Sequence, residues 1–370
     1  EAAQRWALTL RALLVKLGFT IHPVDENVYT RGHGENHMTV CIHVDDGLAT
    51  CKSRAELQRF EQELKAVYNV NFFWPHLQGG KIDFLGMSID CSTLGEFHLH
   101  MTGFVDKLVK TMGVTTTAPT PATAQLFEID ETSPRLSAAD AKLFYTGVYS
   151  AMWTVLRIHV LACLPVMFLT GRVQHSTEED MHKLRHVVKY LNGVRNVGLT
   201  IRAAQNEYRL TCYADASYGV HADGKSHGGI IVCYGAQSGS PIYWKSYKQR
   251  IVARSSTEAE FITLSDATSV VVWLQQFLDH LYPERPLSPA IVYEDNTSAI
   301  RMALNGKSMS ERTRHINIRY FFVKDYLAQG IIVLQHLRTE LMLADALTKP
   351  LAHAKFMAFF YELMKRVSVI

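Results

Sequence analysis

The sequence has little of what would place it in a simple structural class. Its six cysteines include no C-x-x-C pair, so neither a zinc site nor a disulfide framework is indicated, and reduced thiols are expected. The net charge is only +3, so any basic surface for nucleic acid must be local. The most apolar run, 153–169, contains Arg157, His159 and Pro165, whereas a membrane span needs about 20 apolar residues with few charges. We therefore expect no membrane partner.

What the sequence does have is the composition of a globular protein with a sizeable core. It has 370 residues, of which 48% are hydrophobic and 20% charged, and this length favours two or three domains. The chain does not begin with Met, and Glu1 stands inside a predicted helix, as expected for a piece of a longer protein. A stretch rich in Thr, Ala and Pro, 113–137, lacks periodicity and predicts a linker.

The C-terminal part alternates strands with helices. Five strands are predicted there, at 208–214, 229–234, 241–246, 290–294 and 331–336. Four helices are predicted, at 255–281, 297–305, 318–329 and 345–365. In the first of these helices, apolar residues recur every three or four positions and form one buried stripe. This order favours an α/β (α+β) fold in which helices cover a mixed five-stranded sheet.

Four acidic residues stand at predicted strand ends or helix starts in this part: Asp215, Glu258, Asp295 and Asp345. Such ends can converge, and Mg²⁺ prefers hard oxygen ligands. Two Mg²⁺ about 4 Å apart can activate water and stabilise a leaving oxygen in phosphodiester hydrolysis. The sequence therefore predicts a site for two cations. Glu260 is the less favoured ligand of the two glutamates, because it points about 200° away from Glu258 around a helix of 3.6 residues per turn.

Each acid also has a purely structural interpretation. Ser255 to Glu258 matches a capping box, so Glu258 could simply stabilise its helix start. Asp345 could complement a helix dipole, Asp295 could cap the following helix, and Asp215 could belong to a turn. Single motifs leave these alternatives open, and the joint pattern favours the metal site.

Another acidic pair stands at the tip of a predicted hairpin formed by 38–44 and 48–51. Asp45 and Asp46 precede Gly47, and Asp-Gly is itself a favoured two-residue hairpin turn. The pair therefore has both a structural and a metal-binding interpretation.

Together these motifs resemble the Pol polyproteins of Ty1/copia-type retrotransposons over nearly the whole chain. The segments YADASYG, SSTEAEF, YEDNTSAI and ADALTKPL are similar to the ribonuclease H domain of that family, and HVDDG is similar to its reverse transcriptase palm motif Tyr-Val-Asp-Asp. The resemblance implies three regions. These are a partial palm and the start of a thumb at 1–112, a linker with a helical thumb or connection at 113–205, and a ribonuclease H-like domain at 206–370.

The resemblance also implies a reaction, hydrolysis of the RNA strand of RNA–DNA hybrids with two Mg²⁺, for which Mn²⁺ can substitute. Four acids would hold the cations: Asp215, Glu258, Asp295 and Asp345. The other residues matched by position are His336 for product release, Lys248, Arg254 and Arg314 for phosphate contacts, and Asp45 and Asp46 for the polymerase metals. The expected partners are RNA–DNA hybrid, DNA, RNA and the rest of the Pol polyprotein. The expected location is a cytoplasmic virus-like particle, or the nucleus.

Several positions depart from the family pattern. A third polymerase Asp and the fingers are expected upstream of Glu1, so we predict that this chain alone is not a competent polymerase. His43 stands where the family has Tyr, and residues 156–159 read Leu-Arg-Ile-His where it has Thr-Arg-Pro-Asp. An alternative function is therefore a catalytically inactive relic that binds nucleic acid or protein. A third interpretation, an unrelated mixed α/β protein whose acids are helix caps, conflicts with the breadth of the resemblance.

Overall fold

The computed structural model describes residues 2–202, 208–235, 239–285, 287–305 and 314–364. The chain divides into two compact units, one formed by Glu1–Leu94 with Val272–Leu287 and the other by Gly95–Val271 with Ser288–Ile370. The mixed α/β fold class expected from the sequence is confirmed. The domain boundaries after 112 and 205 stay predictions. In the described residues, no helix combines the length and the apolar character that crossing a membrane requires.

The first unit is built on an antiparallel sheet with strand order β1-β2-β3-β4. Its elements are α1 (Ala2–Lys16), β1 (Thr20–Ile21), β2 (Val28–Arg31), β3 (Met38–His43), β4 (Asp46–Cys51), α2 (Arg54–Lys65), β5 (Lys81–Phe84) and β6 (Met87–Asp90). Leu14, Phe19, Met38 and Phe60 meet in its core. β5 and β6 form a hairpin, because Leu85 and Gly86 turn the chain with positive φ angles of 52° and 76°.

The second unit begins with a strand pair and four helices. They are β7 (Glu96–His100), α3 (Thr102–Thr111), α4 (Ala138–Val155), α5 (Cys163–Thr170), α6 (Glu178–Val194) and β8 (Leu199–Arg202), which pairs antiparallel with β7. The helix starts follow from their caps: Ser137 accepts a bond from the N–H of Asp140, and Thr177 and Asp180 form a capping box. The segment 113–137 contains no helix or strand, as its composition predicts.

The rest of the second unit is a mixed five-stranded sheet in the order β11-β10-β9-β12-β13. Its elements are β9 (Arg209–Ser217), β10 (His227–Tyr234), β11 (Ser240–Lys248), α7 (Ser256–Leu281), β12 (Ser288–Glu294), α8 (Thr297–Asn305), α9 (Arg314–Ala328), β13 (Ile332–His336) and α10 (His353–Met364). The last residues of α7 belong to the first unit. β9, β10 and β11 are antiparallel neighbours, whereas β12 runs parallel to both β9 and β13.

The parallel strands determine where functional groups can gather. Parallel pairing requires crossover connections, which α7, α8 and α9 supply, and it places the carboxyl ends of β9, β12 and β13 at one edge of the sheet. Tyr213 pairs with Tyr293, so Asp215 and Asp295 each lie two residues further along adjacent strands. The sheet edge at which both strands end is therefore the natural position for a site.

One predicted element differs from the structure in a way that affects the site. Asp345 was expected to begin a helix over 345–365, but it lies in a short 3₁₀ helix, Leu343–Leu347, and the α-helix starts only at His353. Pro350 accounts for the interruption, because proline cannot continue a helix through its own position and restricts the residue before it. The carboxylate of Asp345 is thus held by a compact turn rather than by a helix start.

Candidate metal centre

Asp215 lies near the end of the central strand β9 and is only 1% exposed. Its strand partner across the ladder is Gly229 of β10. A Cβ atom added at Gly229 would lie 2.9 Å from the carbonyl oxygen of Ala344 and 2.7 Å from Cγ2 of Thr348. Glycine at this position therefore allows the turn that carries Asp345 to pack directly against the strands.

The turn brings its own polar groups to Asp215. Thr348 donates its hydroxyl to Asp215 Oδ2, and Lys349 Nζ lies 3.6 Å from Asp215 Oδ1 and 2.7 Å from Asp345 Oδ1. Asp345 is completely buried, and Lys355 of α10 also donates to its carboxylate. Two lysines thus partly neutralise a buried pair of carboxylates.

Asp295, which follows β12 directly, completes a first cluster. One carboxylate oxygen each from Asp215, Asp295 and Asp345 lies within 4.8 Å of the others, and we call these residues the Asp215 group. The Asp295 carboxylate accepts a hydrogen bond of 2.6 Å from the Thr339 hydroxyl, which fixes its orientation. Three of the four acids predicted from the sequence therefore converge.

A second cluster shares Asp295. Carboxylate oxygens of Glu260, Glu294 and Asp295 also lie within 4.8 Å of one another, and we call these residues the Glu260 group. Glu260 is 7% exposed and Glu294 is fully buried. In the described part of the chain, Oε2 of each of these two glutamates has no hydrogen-bond partner. Sequence reasoning missed Glu294 and set Glu260 aside.

Glu258 is the predicted ligand that the structure does not bring to either group. Its carboxylate accepts a 3.0 Å hydrogen bond from the backbone N–H of Arg254, and its own N–H donates to Ser255 Oγ at 3.2 Å. Ser255 therefore caps the helix as in a capping box, but the Glu258 carboxylate reaches the N–H of the residue before the cap, so only half of the box expected from the sequence is formed. Glu258 and Glu260 point about 200° apart around the helix, as expected, but it is Glu260 that faces Glu294 and Asp295.

The electrostatics reflect carboxyls crowded together away from water. Burial raises the pKa of Asp215 to about 7, with Asp345 and Asp295 adding to the shift and Lys349 and Thr348 opposing it. Burial and the neighbouring Glu294 raise the pKa of Glu260 to about 11. The pKa of Glu294 is likewise raised well above its ordinary value, chiefly by burial. Without a cation, ionised carboxylates are disfavoured here.

These residues fit a divalent metal ion. All five candidate ligands are carboxylates, which suit hard cations such as Mg²⁺ and Mn²⁺. The unpartnered oxygens of Glu260 and Glu294 are the kind of buried acceptor that a cation would satisfy. Asp295 belongs to both groups and could ligate two cations at once.

A chain of three side chains, His221, His227 and Ser246, ends on the turn that carries Asp345. His221 Nε2 lies 3.0 Å from His227 Nδ1, and His227 Nε2 lies 2.7 Å from Ser246 Oγ, which donates to the carbonyl oxygen of Leu347 at 2.7 Å. Because Ser246 donates to Leu347, His227 must donate through Nε2, and a neutral His227 then accepts the Nε2–H of His221 at its Nδ1. Burial lowers the pKa of His227 to about 3 and that of His221 to about 4.

The other predicted site residues lie around these groups rather than in them. His336 ends β13, is exposed, and pairs with Glu294 across the parallel ladder. Lys248 ends β11 and forms an ion pair of 2.8 Å with Asp223, and the side chain of Arg254 is exposed. Arg314 begins α9, and its side chain lies outside the described residues. Their predicted contacts with product and phosphate stay predictions.

The acidic pair of the first unit stands at a hairpin, as expected, but the loop is not the Asp-Gly turn that the sequence suggests, because Asp46 and Gly47 already belong to β4. Asp46 pairs with His43, so Val44 and Asp45 form a two-residue loop, and Val44 adopts a positive φ of 57° that is rare for a β-branched residue. Trp6 Nε1 donates a 2.8 Å hydrogen bond to the Val44 carbonyl oxygen and supports this turn. Asp45 and Asp46 are exposed, and neither belongs to a cluster of metal-capable groups in the described ranges.

The fold and the site define a class: mixed α/β proteins in which carboxylates at the ends of parallel strands can hold divalent cations. Comparison with known proteins narrows the class. Residues 1–124 match the family described as reverse transcriptase (RNA-dependent DNA polymerase). The chain is 29% identical over 366 residues to the Retrovirus-related Pol polyprotein from transposon RE1 of Arabidopsis thaliana, a match that covers 97% of this chain and 24% of that protein. It therefore spans about a quarter of the length of this relative.

Two solved structures resemble parts of the chain. RNase H1 from the archaeon Halobacterium salinarum is 14% identical, with 38% of this chain and 94% of that one covered and a TM-score of 0.27. The foamy viral protease-reverse transcriptase in complex with RNA/DNA hybrid is 17% identical, with 81% and 36% covered and a TM-score of 0.43.

The sequence matches support a fragment of a Ty1/copia-type retrotransposon Pol polyprotein, with a reverse transcriptase match at residues 1–124. The resemblance drawn from the motifs is thereby confirmed.

Proposed function

We propose that the second unit hydrolyses the RNA strand of RNA–DNA hybrids, with Asp215, Glu260, Asp295 and Asp345 as the acids that hold two divalent cations. The observation that carries this proposal is that Asp295 belongs to two clusters, the Asp215 group and the Glu260 group. Within each group, one carboxylate oxygen of each residue lies within 4.8 Å of the others. Mg²⁺, or Mn²⁺ in its place, would supply Lewis acidity and lower the pKa of an attacking water.

The chain's own residues position that chemistry. Thr348 and Thr339 orient the carboxylates of Asp215 and Asp295, and the Leu343–Leu347 turn holds Asp345 against the strands. Lys349 and Lys355 keep the buried Asp345 charge compensated. Burial excludes bulk water from the carboxylates and strengthens their interaction with positive charge.

The substrate class is proposed from the family and from the placement of basic residues. The foamy viral protease-reverse transcriptase structure contains an RNA/DNA hybrid, and the sequence matches of this chain are to Pol polyproteins. Lys248 ends β11 and Arg254 lies in the loop that leads to α7, close in sequence to Glu260, so both could contact phosphates. His336, next to Glu294, is well placed to interact with the product.

The first unit contributes reverse transcriptase sequence. We propose that Asp45 and Asp46 need a further acidic ligand to bind metal, because the clusters found in the described residues do not include them. Polymerisation by this segment alone is therefore not expected. The alternative function, an inactive binding module, becomes an outcome of the following test.

The test uses the full chain, a hybrid labelled on each strand in turn, and Mg²⁺. We expect shortening of the RNA strand alone, and loss of that activity in Asp295→Asn, since this residue serves both groups. Equal activity of Asp295→Asn and the unchanged protein would defeat the assignment. Hybrid binding without cleavage in Mg²⁺ and in Mn²⁺ would favour the inactive binding module.

A further inference from the structure

We propose that Glu294 is itself a cation ligand, and that the Glu260 group takes up its divalent cation at lower concentration than the Asp215 group. The inference deepens the proposed function, on which it rests, by adding a ligand and an order of binding. Glu294 lies on β12, where Ala290 and Val292 share its strand face and are completely buried. A glutamate in such a position is expensive unless something compensates it.

The hydrogen bonds of Glu294 leave one oxygen for a ligand. Its Oε1 accepts a 3.1 Å bond from the backbone N–H of Asn296, which fixes the carboxylate, while Oε2 is buried without a partner among the described residues. Glu260 Oε2 is in the same condition. Two buried, unpartnered oxygens therefore belong to one cluster, which also includes the half-buried Asp295. A divalent cation is the partner that satisfies them together.

The two groups differ in the positive charge that the protein supplies. In the described part of the chain, the ion pairs of Lys349 and Lys355 reach Asp215 and Asp345 and do not reach Glu260 or Glu294. A cation entering the Asp215 group must therefore compete with lysines that already neutralise its carboxylates. A cation entering the Glu260 group displaces no ion-paired lysine and has only the protons on its carboxyls to displace, so we expect it to bind first.

The experiment is a titration of the full chain with Mn²⁺, followed by the loss of the electron paramagnetic resonance signal of free Mn²⁺. The unchanged protein should show a tight and a weaker class of bound Mn²⁺. Glu294→Gln, which keeps the acceptor for the Asn296 N–H, should weaken the tight class at least about tenfold, since even second-shell partners of metal sites give 10–100-fold effects. Asp345→Asn should leave the tight class in place.

The matched control is Glu340→Gln, an exposed carboxyl next to Thr339 that belongs to neither group and should bind Mn²⁺ like the unchanged protein. Circular dichroism in EDTA verifies that each variant is folded. If Glu294→Gln does not fold, Glu294→Asp, which retains the charge but withdraws it by one methylene, should weaken the same class. Unaltered tight binding in the folded Glu294 variant, or its loss in Asp345→Asn, would overturn the proposal.

Hybrid cleavage measured on the same samples separates this inference from the proposed function. An unchanged protein that binds two classes of Mn²⁺ as described but does not cut the hybrid contradicts the proposed function alone. A protein that cuts the hybrid while Glu294→Gln binds Mn²⁺ normally contradicts this inference alone.

Discussion

Two glutamates on one helix, Glu258 and Glu260, give the sharpest test of how the site is built. Exchanging Glu260 for Gln keeps its volume and removes the charge that a cation would need. Loss of a single group that stabilises developing charge in a transition state typically costs about 10²–10³ in rate, which corresponds to about 3–4 kcal/mol. We therefore expect Glu260→Gln to lower hybrid cleavage by at least about a hundredfold.

The same substitution should make the folded protein more stable when no cation is present. Glu260 Oε2 is buried without a partner, and burial together with Glu294 raises the pKa of Glu260 to about 11. The amide of Gln can instead donate to Glu294, which relieves an unsatisfied acceptor worth about 1–3 kcal/mol. In EDTA, the free energy of unfolding of Glu260→Gln should accordingly exceed that of the unchanged protein.

Glu258→Gln is the internal comparison. The Gln carbonyl can still accept the N–H of Arg254, now bonded at 3.0 Å, so the free energy of unfolding should change by less than about 1 kcal/mol. Its cleavage rate should stay within about twofold of the unchanged rate. Single-turnover cleavage assays and urea denaturation in EDTA measure the two quantities. A large loss of cleavage in Glu258→Gln with none in Glu260→Gln would refute the arrangement described above.

Three further changes probe the surroundings of the carboxylates. Lys349→Met should lower the free energy of unfolding in EDTA by about 2 kcal/mol, which is less than breaking a fully buried ion pair costs, because Lys349 is 39% exposed. Mg²⁺ should restore part of this free energy. Urea denaturation that shows no loss of stability in EDTA would contradict the prediction. His227→Gln tests the pH dependence of stability. The pKa of His227 is about 3 in the folded protein, below its unfolded value of about 6.5, so below about pH 6.5 the unchanged protein should lose up to about 1.4 kcal/mol of unfolding free energy per pH unit relative to the variant. Parallel stability curves of the two proteins from pH 7 to 4.5 would exclude a buried neutral His227. Gly229→Ala should lower the free energy of thermal unfolding by about 1–3 kcal/mol and reduce cleavage, because its Cβ would meet Ala344 and Thr348. Gly103→Ala is the control and should not destabilise the protein, because its Cβ meets nothing within 4 Å. Equal effects of the two substitutions would be evidence against the close packing at Gly229.

Much of the site could be predicted because it depends on local patterns. Asp215 and Asp295 follow buried strand segments, and once those strands pair in parallel they reach the same sheet edge. The apolar stripe of α7 also contained the signal that identifies Glu260. Leu264, Ala267, Val271 and Leu278 of that stripe follow Glu260 by 4, 7, 11 and 18 positions, which is the spacing of one helix face. Glu258 lies on the opposite face, so motif matching alone selected the wrong face of the helix.

The remaining features depend on tertiary contacts that no local pattern specifies. The 3₁₀ turn of Asp345 approaches Asp215 because Gly229 leaves space for it, and these residues are far apart in sequence. Glu294 was indistinguishable from an ordinary strand residue until the burial of its side chain and the position of Glu260 were known. Alternation along β12 predicts which face it occupies but not that three carboxyls meet there.

The most direct test of the central claim is a crystal of the full chain soaked in Mn²⁺ and measured for anomalous scattering. Two Mn²⁺ peaks about 4 Å apart, both in contact with the Asp295 carboxylate, are the predicted result. Ordered Mn²⁺ elsewhere on the protein, with none on Asp215, Glu260, Glu294, Asp295 or Asp345, would contradict it.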